Sequence, residues 1–69
     1  MTSSQLSTAW VAYGETGAVG SIRHTDDGFE VWMSGAQEEL GVYPELEIAK
    51  RAVRSHARTG AGELRFQRR

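Results

Sequence analysis

Seven basic residues in the last third of the chain are the side chains whose type and spacing best suit a chemical role. Three of them, Lys50, Arg54 and Arg58, recur at every fourth position, so on a helix they would form one ridge. A stripe of such groups can neutralise several phosphates or carboxylates. The sequence therefore predicts a binding site for nucleic acid or for an acidic protein surface, formed by Lys50, Arg51, Arg54, Arg58, Arg65, Arg68 and Arg69.

The overall balance of charge conceals this basic segment. The formal net charge is −1, yet eight of the nine acidic residues precede Lys50 and seven of the eight basic residues lie from Lys50 onward. Such sorting is typical of chains that meet an anionic or charged partner. The alternative is a solvated helix face on which Glu47 pairs with Lys50 and Arg51, three and four residues away.

The metal-capable residues are few and unfavourably spaced. His24, Asp26 and Asp27 fall within one predicted turn, where consecutive positions rarely converge on one ion, and the spacings of zinc and calcium sites are absent from the sequence. Aspartates in turns commonly bond to the backbone instead. We expect neither a metal nor another cofactor.

Catalytic patterns are also missing from the sequence. It contains no cysteine, no Gly-x-Ser-x-Gly elbow and no phosphate-binding loop. The acidic pairs Asp26-Asp27 and Glu38-Glu39 fall in polar segments, where water would keep carboxylates at ordinary pKa values. The sequence predicts that the protein is not an enzyme.

Three predicted strands precede the basic segment. They cover Ala9 to Tyr13, Ala18 to His24 and Phe29 to Met33, and an Asp-Gly step before Phe29 is a strong hairpin signal. A loop of two residues (Asp27, Gly28) or four (Thr25 to Gly28) keeps the apolar side chains on one face. That face would bury Ile22, Phe29, Val31 and Met33, with Gly20 allowing close approach, and the other would carry Arg23, Glu30 and Trp32.

A helix and a last strand complete the predicted fold. Pro44 at the first position and Gly60 past the end bound a helix from Pro44 to Arg58, preceded by a short strand at Leu40 to Tyr43. Its apolar stripe is Leu46, Ala49, Val53 and Ala57. Alternation in Glu63 to Gln67 predicts a final strand that buries Leu64 and Phe66. The order β-β-β-α-β predicts an α+β fold, a two-layer sandwich with a mostly antiparallel three- to four-stranded sheet and one helix across one face.

The sheet face opposite the predicted core is a second candidate site. Trp32 beside Arg23 is a large aromatic side chain to leave in water, and aromatic and arginine side chains are frequent anchors of interfaces. We therefore consider a protein-interaction or homodimerisation surface at Arg23 and Trp32. Alternatively, the Trp32 ring lies under the Arg23 guanidinium or beneath the N-terminal residues. Trp10 or Tyr13 would share this face, according to the parity of the first strand, which the sequence leaves open.

The segment from Gly41 to Ala49, after a hairpin with Asp-Gly at its tip, resembles the β-β-β-α cassette of the arm-type N-terminal domains of phage integrases. It is also similar to short bacterial and phage-encoded proteins of that build. The loose likeness covers about Val19 to His56. In the integrase domains the sheet enters the major groove of DNA, so the resemblance implies that Arg23 and Trp32 would contact DNA here.

The remaining expectations concern organisation and location. Residues 1–8 are small and polar and predict a disordered lead-in, followed by a single domain over residues 9–69. We find no secretion signal and no apolar run long enough to cross a bilayer, so we expect a soluble protein without a membrane partner. The absence of cysteine favours a cytoplasmic location. The favoured function is a small non-catalytic binding module. A homodimer is an alternative.

Overall fold

A computed structural model of the chain describes residues 8–15, 17–57 and 63–69. These residues form β1 (Ala9–Gly14), β2 (Gly17–Thr25), β3 (Gly28–Met33), β4 (Gly41–Tyr43), α1 (Leu46–His56) and β5 (Arg65–Arg68). The strands make one antiparallel sheet in the order β4-β3-β2-β1-β5, and α1 packs on one of its faces. The predicted α+β fold is confirmed. The sheet has five strands rather than three to four, because both β4 and β5 pair with a neighbour.

The register of the β2–β3 hairpin agrees with the parity argument. Ile22 lies opposite Val31, and His24 lies opposite Phe29, so the apolar side chains share the face beneath the helix. We call this the helix face and the opposite one the outer face. The connecting loop has two residues, one of the two expected lengths, but they are Asp26 and Asp27 rather than Asp27 and Gly28, since Thr25 pairs with Gly28.

The turn of this hairpin depends on Thr25 and Gly28 rather than on the aspartate side chains. The Thr25 hydroxyl accepts a hydrogen bond from the Asp27 backbone N–H at 3.2 Å and donates to the Gly28 carbonyl at 3.3 Å. Gly28 has a φ of +135°, and a Cβ atom there would lie 2.6 Å from the Tyr43 carbonyl oxygen. Glycine is therefore needed for both the backbone conformation and the close approach of β4.

The core is small and lies between the helix face and α1. Its fully buried members are Ala12, Ile22, Val31, Ala49 and Val53. The two from α1 belong to the predicted apolar stripe, and Leu46 packs at its margin. Leu64 and Phe66 also pack against this core, as the alternation before and within β5 predicts. Small alanines on both layers bring the helix close to the sheet.

Helix α1 is shorter than predicted at its start. Glu45 is the N-cap residue, with extended backbone angles and no side-chain capping bond, and its carbonyl accepts the Ala49 N–H at 3.1 Å. Pro44 thus precedes the helix instead of occupying its first turn. Proline disfavours helical angles in the residue before it, which suits Tyr43 as the last residue of β4. The helix ends at His56 rather than at Arg58, and Ala57, with extended backbone angles, is its C-cap.

The pairing of β1 settles the parity that the sequence leaves open. Trp10 lies opposite Ile22, and Ala12 lies opposite Gly20 and Phe66, so Trp10 faces the helix rather than sharing the face of Trp32. The pairing is irregular between Ala12 and Tyr13. Tyr13 lies opposite Arg65 on the other side of the strand.

Some expectations fall outside the described residues. These are the first seven residues of the predicted lead-in, the helix stop at Gly60, and Arg58. The eighth residue, Thr8, accepts a hydrogen bond from the His24 backbone at 2.9 Å. Within the described ranges, the helix is neither long nor apolar enough to cross a membrane.

Val31→Ala should lower the free energy of unfolding by about 2–3 kcal/mol, because it removes two fully buried methyl groups and leaves a cavity. Urea denaturation followed by circular dichroism measures the change. The matched control is Val42→Ala, since Val42 is 39% exposed on the neighbouring strand and should lose under about 0.5 kcal/mol. Equal losses at the two positions would contradict the assignment of the core face.

Gly28→Ala should be more destabilising than Gly17→Ala, and the same urea experiment compares them. Both glycines have similar positive φ angles, +135° and +124°, so both variants pay the same backbone strain, about 1–3 kcal/mol. Only at Gly28 does a Cβ meet the Tyr43 carbonyl, whereas at Gly17 no atom lies within 4 Å. Equal destabilisation would show that β4 does not approach the hairpin this closely.

Candidate anion-binding surface

Two of the predicted basic residues meet on an aromatic ring. The Lys50 ammonium nitrogen and the Arg54 guanidinium carbon each lie 5.4 Å from the centre of the Phe66 ring. These distances suit cation–π attraction, which contributes about 0.5–1 kcal/mol at exposed sites. We call these three residues the Phe66 cluster. It joins the ridge of α1 to the last strand of the sheet.

The geometry of α1 explains why these two residues converge. They are four residues apart and therefore lie one above the other, on the flank of the helix beside the buried Ala49 and Val53. The Lys50 ammonium also approaches the Glu47 carboxylate at 4.0 Å, with Glu47 largely exposed. An exposed pair at this distance contributes little, so the expected i,i+3 pairing exists but does not neutralise the flank.

Arg68 extends the basic surface along β5. It lies two residues beyond Phe66, so both side chains are on the helix face, and its cross-strand partner is Trp10. Arg68 is exposed, while Trp10 is half-buried. Lys50, Arg54 and Arg68 therefore border one region of the helix face, where β1 and β5 lie beyond the main contacts of α1 with β2, β3 and β4.

The other predicted basic residues lie elsewhere. Arg51 is exposed on α1 one position beyond Lys50, turned away from Phe66 by the helical repeat. Arg65 adjoins Phe66 in sequence, so alternation places it on the outer face, opposite Tyr13. Arg69 follows β5, where its backbone N–H donates to the Ala9 carbonyl at 2.8 Å. Arg58 lies outside the described residues.

The helix face also carries an aromatic row that the sequence did not predict as a site. The His24 and Phe29 rings are stacked, with centroids 4.2 Å apart and planes 8° from parallel. Trp10 lies 5.9 Å from Phe29, tilted by 53°. His24 is exposed, and the other two are half-buried. The row is formed by the pairing of β1 with β2, which brings Trp10 to this face. No local sequence pattern indicates that pairing.

On the outer face, Arg23 and Trp32 share one carboxylate. The Trp32 indole N–H donates to Glu30 Oε1 at 3.0 Å, and an Arg23 guanidinium nitrogen lies 3.6 Å from the same oxygen. Within the described residues the partner of Trp32 is therefore Glu30 rather than a cation–π contact with Arg23. Cover of Trp32 by the N-terminal residues falls on residues 1–7, outside the described ranges. Both predicted interface residues are already engaged within the domain.

Acidic side chains collect beside this pair. A hydrogen bond with Glu30 raises the pKa of the Glu39 carboxyl, and desolvation and the nearby charges of Glu30, Asp27 and Glu38 raise it further. One of two bonded carboxyls must keep its proton to donate. This part of the outer face thus holds several acidic side chains beside Arg23, and the charge of Glu39 depends on pH.

Other kinds of site find less support in the structure. Across residues 8–15, 17–57 and 63–69, no group of three or more histidine, aspartate or glutamate side chains is arranged to hold a metal ion. A shallow depression of about 320 Å³ opens beside β5, lined by Tyr13, Arg65, Phe66 and Gln67. Its openness to solvent suits a surface contact rather than an enclosed small molecule.

Glu39→Gln should stabilise the protein near neutral pH and have little effect near pH 3. Because the folded state raises the pKa of Glu39, folding favours the protonated form, and that contribution is lost as the pH rises through the raised value. Glutamine removes the charge while keeping an N–H donor for Glu30. Thermal melting at both pH values measures the difference, with Glu15→Gln, an exposed acid in the β1–β2 turn, as the control. A gain that is independent of pH would contradict the assignment.

Comparison with protein-family models, with curated proteins and with solved structures found no match to this chain. The resemblance to arm-type integrase domains therefore stays a prediction. What the site can do must be argued from its own geometry.

Proposed function

We propose that this domain is a small non-catalytic module that binds nucleic acid through the basic side of its helix face. The observation that carries the proposal is the Phe66 cluster, in which two cations from α1 meet β5. With Arg68 it offers three positive charges around apolar and aromatic side chains. Phosphate recognition needs such clustered charges, and they act without any catalytic group.

The arrangement of the sheet supports an orientation for this binding. Strand β5 lies at one edge and β4 at the other, about 19 Å apart at ordinary strand spacing. The acidic side chains around Glu39 lie on the outer face beside β3, away from Arg68. A polyanion on the basic side would therefore meet attraction without the repulsion of this acidic group. The cytoplasmic location expected from the cysteine-free composition belongs to the same proposal.

Binding through the outer face, as in the integrase-like mode, is less favoured. Arg23 and Trp32 both contact Glu30, so phosphates would compete with a carboxylate already in place. Glu39 adds negative charge to the same surface. DNA approaching this face would have to displace or neutralise both acids.

A second candidate function is homodimerisation through the outer face. One observation favours it: Val42 is 39% exposed and lies opposite Glu30, beside the half-buried Trp32. Sedimentation over a concentration series tests this alternative. A monomer at high concentration would exclude it, and a dimer that Val42→Lys dissociates would support it.

Changing Lys50, Arg54 and Arg68 together to glutamine should weaken nucleic-acid binding at least tenfold. At about 0.7–0.9 counterions released per phosphate contact, it should also reduce the slope of log affinity against log salt by about 2. Fluorescence anisotropy with labelled oligonucleotides at several salt concentrations measures both effects. The matched control changes Arg51, Arg65 and Arg69 to glutamine, which removes the same charge from outside the Phe66 cluster.

If the two triple variants weaken binding equally, binding depends on total charge and not on a site at the Phe66 cluster. No binding by the parent at low salt would overturn the proposal. Tighter binding to poly-glutamate than to nucleic acid, lost in the first triple variant, would identify an acidic protein as the partner instead.

A further inference from the structure

We infer that the ligand is single-stranded nucleic acid, whose bases stack on the aromatic row formed by Trp10, His24 and Phe29. This inference rests on the proposed function and names its ligand class. It comes from the corner of the helix face where the aromatic row and the basic side chains meet.

The aromatic row continues directly into the basic surface. One rung of the sheet places Arg68 opposite Trp10 and Trp10 opposite Ile22. Two residues beyond Ile22 on β2, and on the same face, His24 stacks on Phe29, and Trp10 approaches the same Phe29 ring. From β5 to β3 the surface thus passes from a guanidinium to an indole and then to a stacked pair, over about 14 Å at ordinary strand spacing.

The side chains of the aromatic row are more exposed than those of the core. His24 is exposed although its ring is stacked, and Trp10 and Phe29 remain half-buried in a domain whose fully buried side chains are mostly small or β-branched. Trp10 and Phe29 pack against the core without being fully buried, and His24 is exposed on the same face. Within the described residues the row therefore presents ring surface at the margin of the packed core.

The chemistry of this surface selects unpaired bases. Every base has an apolar π-face that can stack on an aromatic side chain, and basic groups beside the stack hold the backbone phosphates. In a duplex the bases already stack on one another and offer only their edges in the grooves. An aromatic row with cations at its side thus gains more from a single strand than from a duplex.

The test compares three probes of equal phosphate number. These are oligothymidylate, the same backbone with abasic residues, and a duplex, each titrated against the Trp32→Phe protein so that Trp10 is the only tryptophan. We expect oligothymidylate to quench Trp10 fluorescence and to bind at least fivefold tighter than the abasic strand. The duplex should bind without comparable quenching.

A matched pair of histidine variants isolates the stack. His24→Ala removes an exposed ring and should weaken oligothymidylate binding about five- to tenfold while leaving the abasic strand unaffected. His56→Ala is the control, since His56 is also exposed but bonds to the Ala52 carbonyl on α1. Circular dichroism checks that both variants fold, and a His24 variant that failed to fold would be replaced by His24→Leu, which keeps apolar contact with Phe29 but lacks a ring.

The outcomes separate this inference from the proposed function. If the abasic strand and oligothymidylate bind equally well and Trp10 is not quenched, phosphate binding stands and base stacking is overturned. If the duplex binds tighter than both single strands, the inference also falls. If no probe binds at low salt, the proposed function itself fails.

Discussion

The pairing of Ile22 with Val31 is the constraint on which the rest of the domain depends. These residues are two of the three large side chains that are fully buried, and the third, Val53, packs on them from α1. A slip of one residue in the hairpin register would place Ile22 and Val31 on opposite faces of the sheet and remove half of the apolar surface that the helix covers. The same rung continues through Trp10 to Arg68, so the register that forms the core also sets the side of β5 on which Arg68 is displayed.

The features of this fold that the sequence predicts are those set by residues close together in the chain, within one turn or one strand. Hairpin parity, the apolar stripe of α1 and the inward side of β5 follow from local spacing. The neighbours of β1 do not, because pairing between distant strands leaves no local pattern. The face of Trp10 stayed open for this reason, and with it the aromatic row. The start of α1 was misplaced because proline is compatible with both the first helical turn and the residue before the cap.

The acidic and basic residues are separated along the sequence, but they are only partly separated between the two faces of the sheet. Three arginines lie in or just after β5. Arg68 shares a face with the Phe66 cluster, whereas Arg65 points to the outer face. Alternation made this division readable, since a strand that buries Phe66 must turn Arg65 the other way. On the acidic side, the hairpin and the segment before β4 bring Glu39 to Glu30. Arg68 is thus separated from Glu30 and Glu39 by the sheet, whereas Arg65 lies on the same face as these acids.

The two arginine-bearing surfaces differ in how firmly their cations are held, and this difference decides between them. Arg23 faces a partly buried carboxylate that also accepts the Trp32 indole N–H, so a phosphate there would meet an acid that cannot move away without breaking a second bond. Lys50 and Arg54 rest on the Phe66 ring, and their attraction to it is weak and carries no opposing charge. A phosphate approaching both would meet only the largely exposed Glu47 carboxylate, which lies 4.0 Å from Lys50. The neutral Phe66 ring contacts these cations without neutralising them, which is what the proposed anion-binding surface requires.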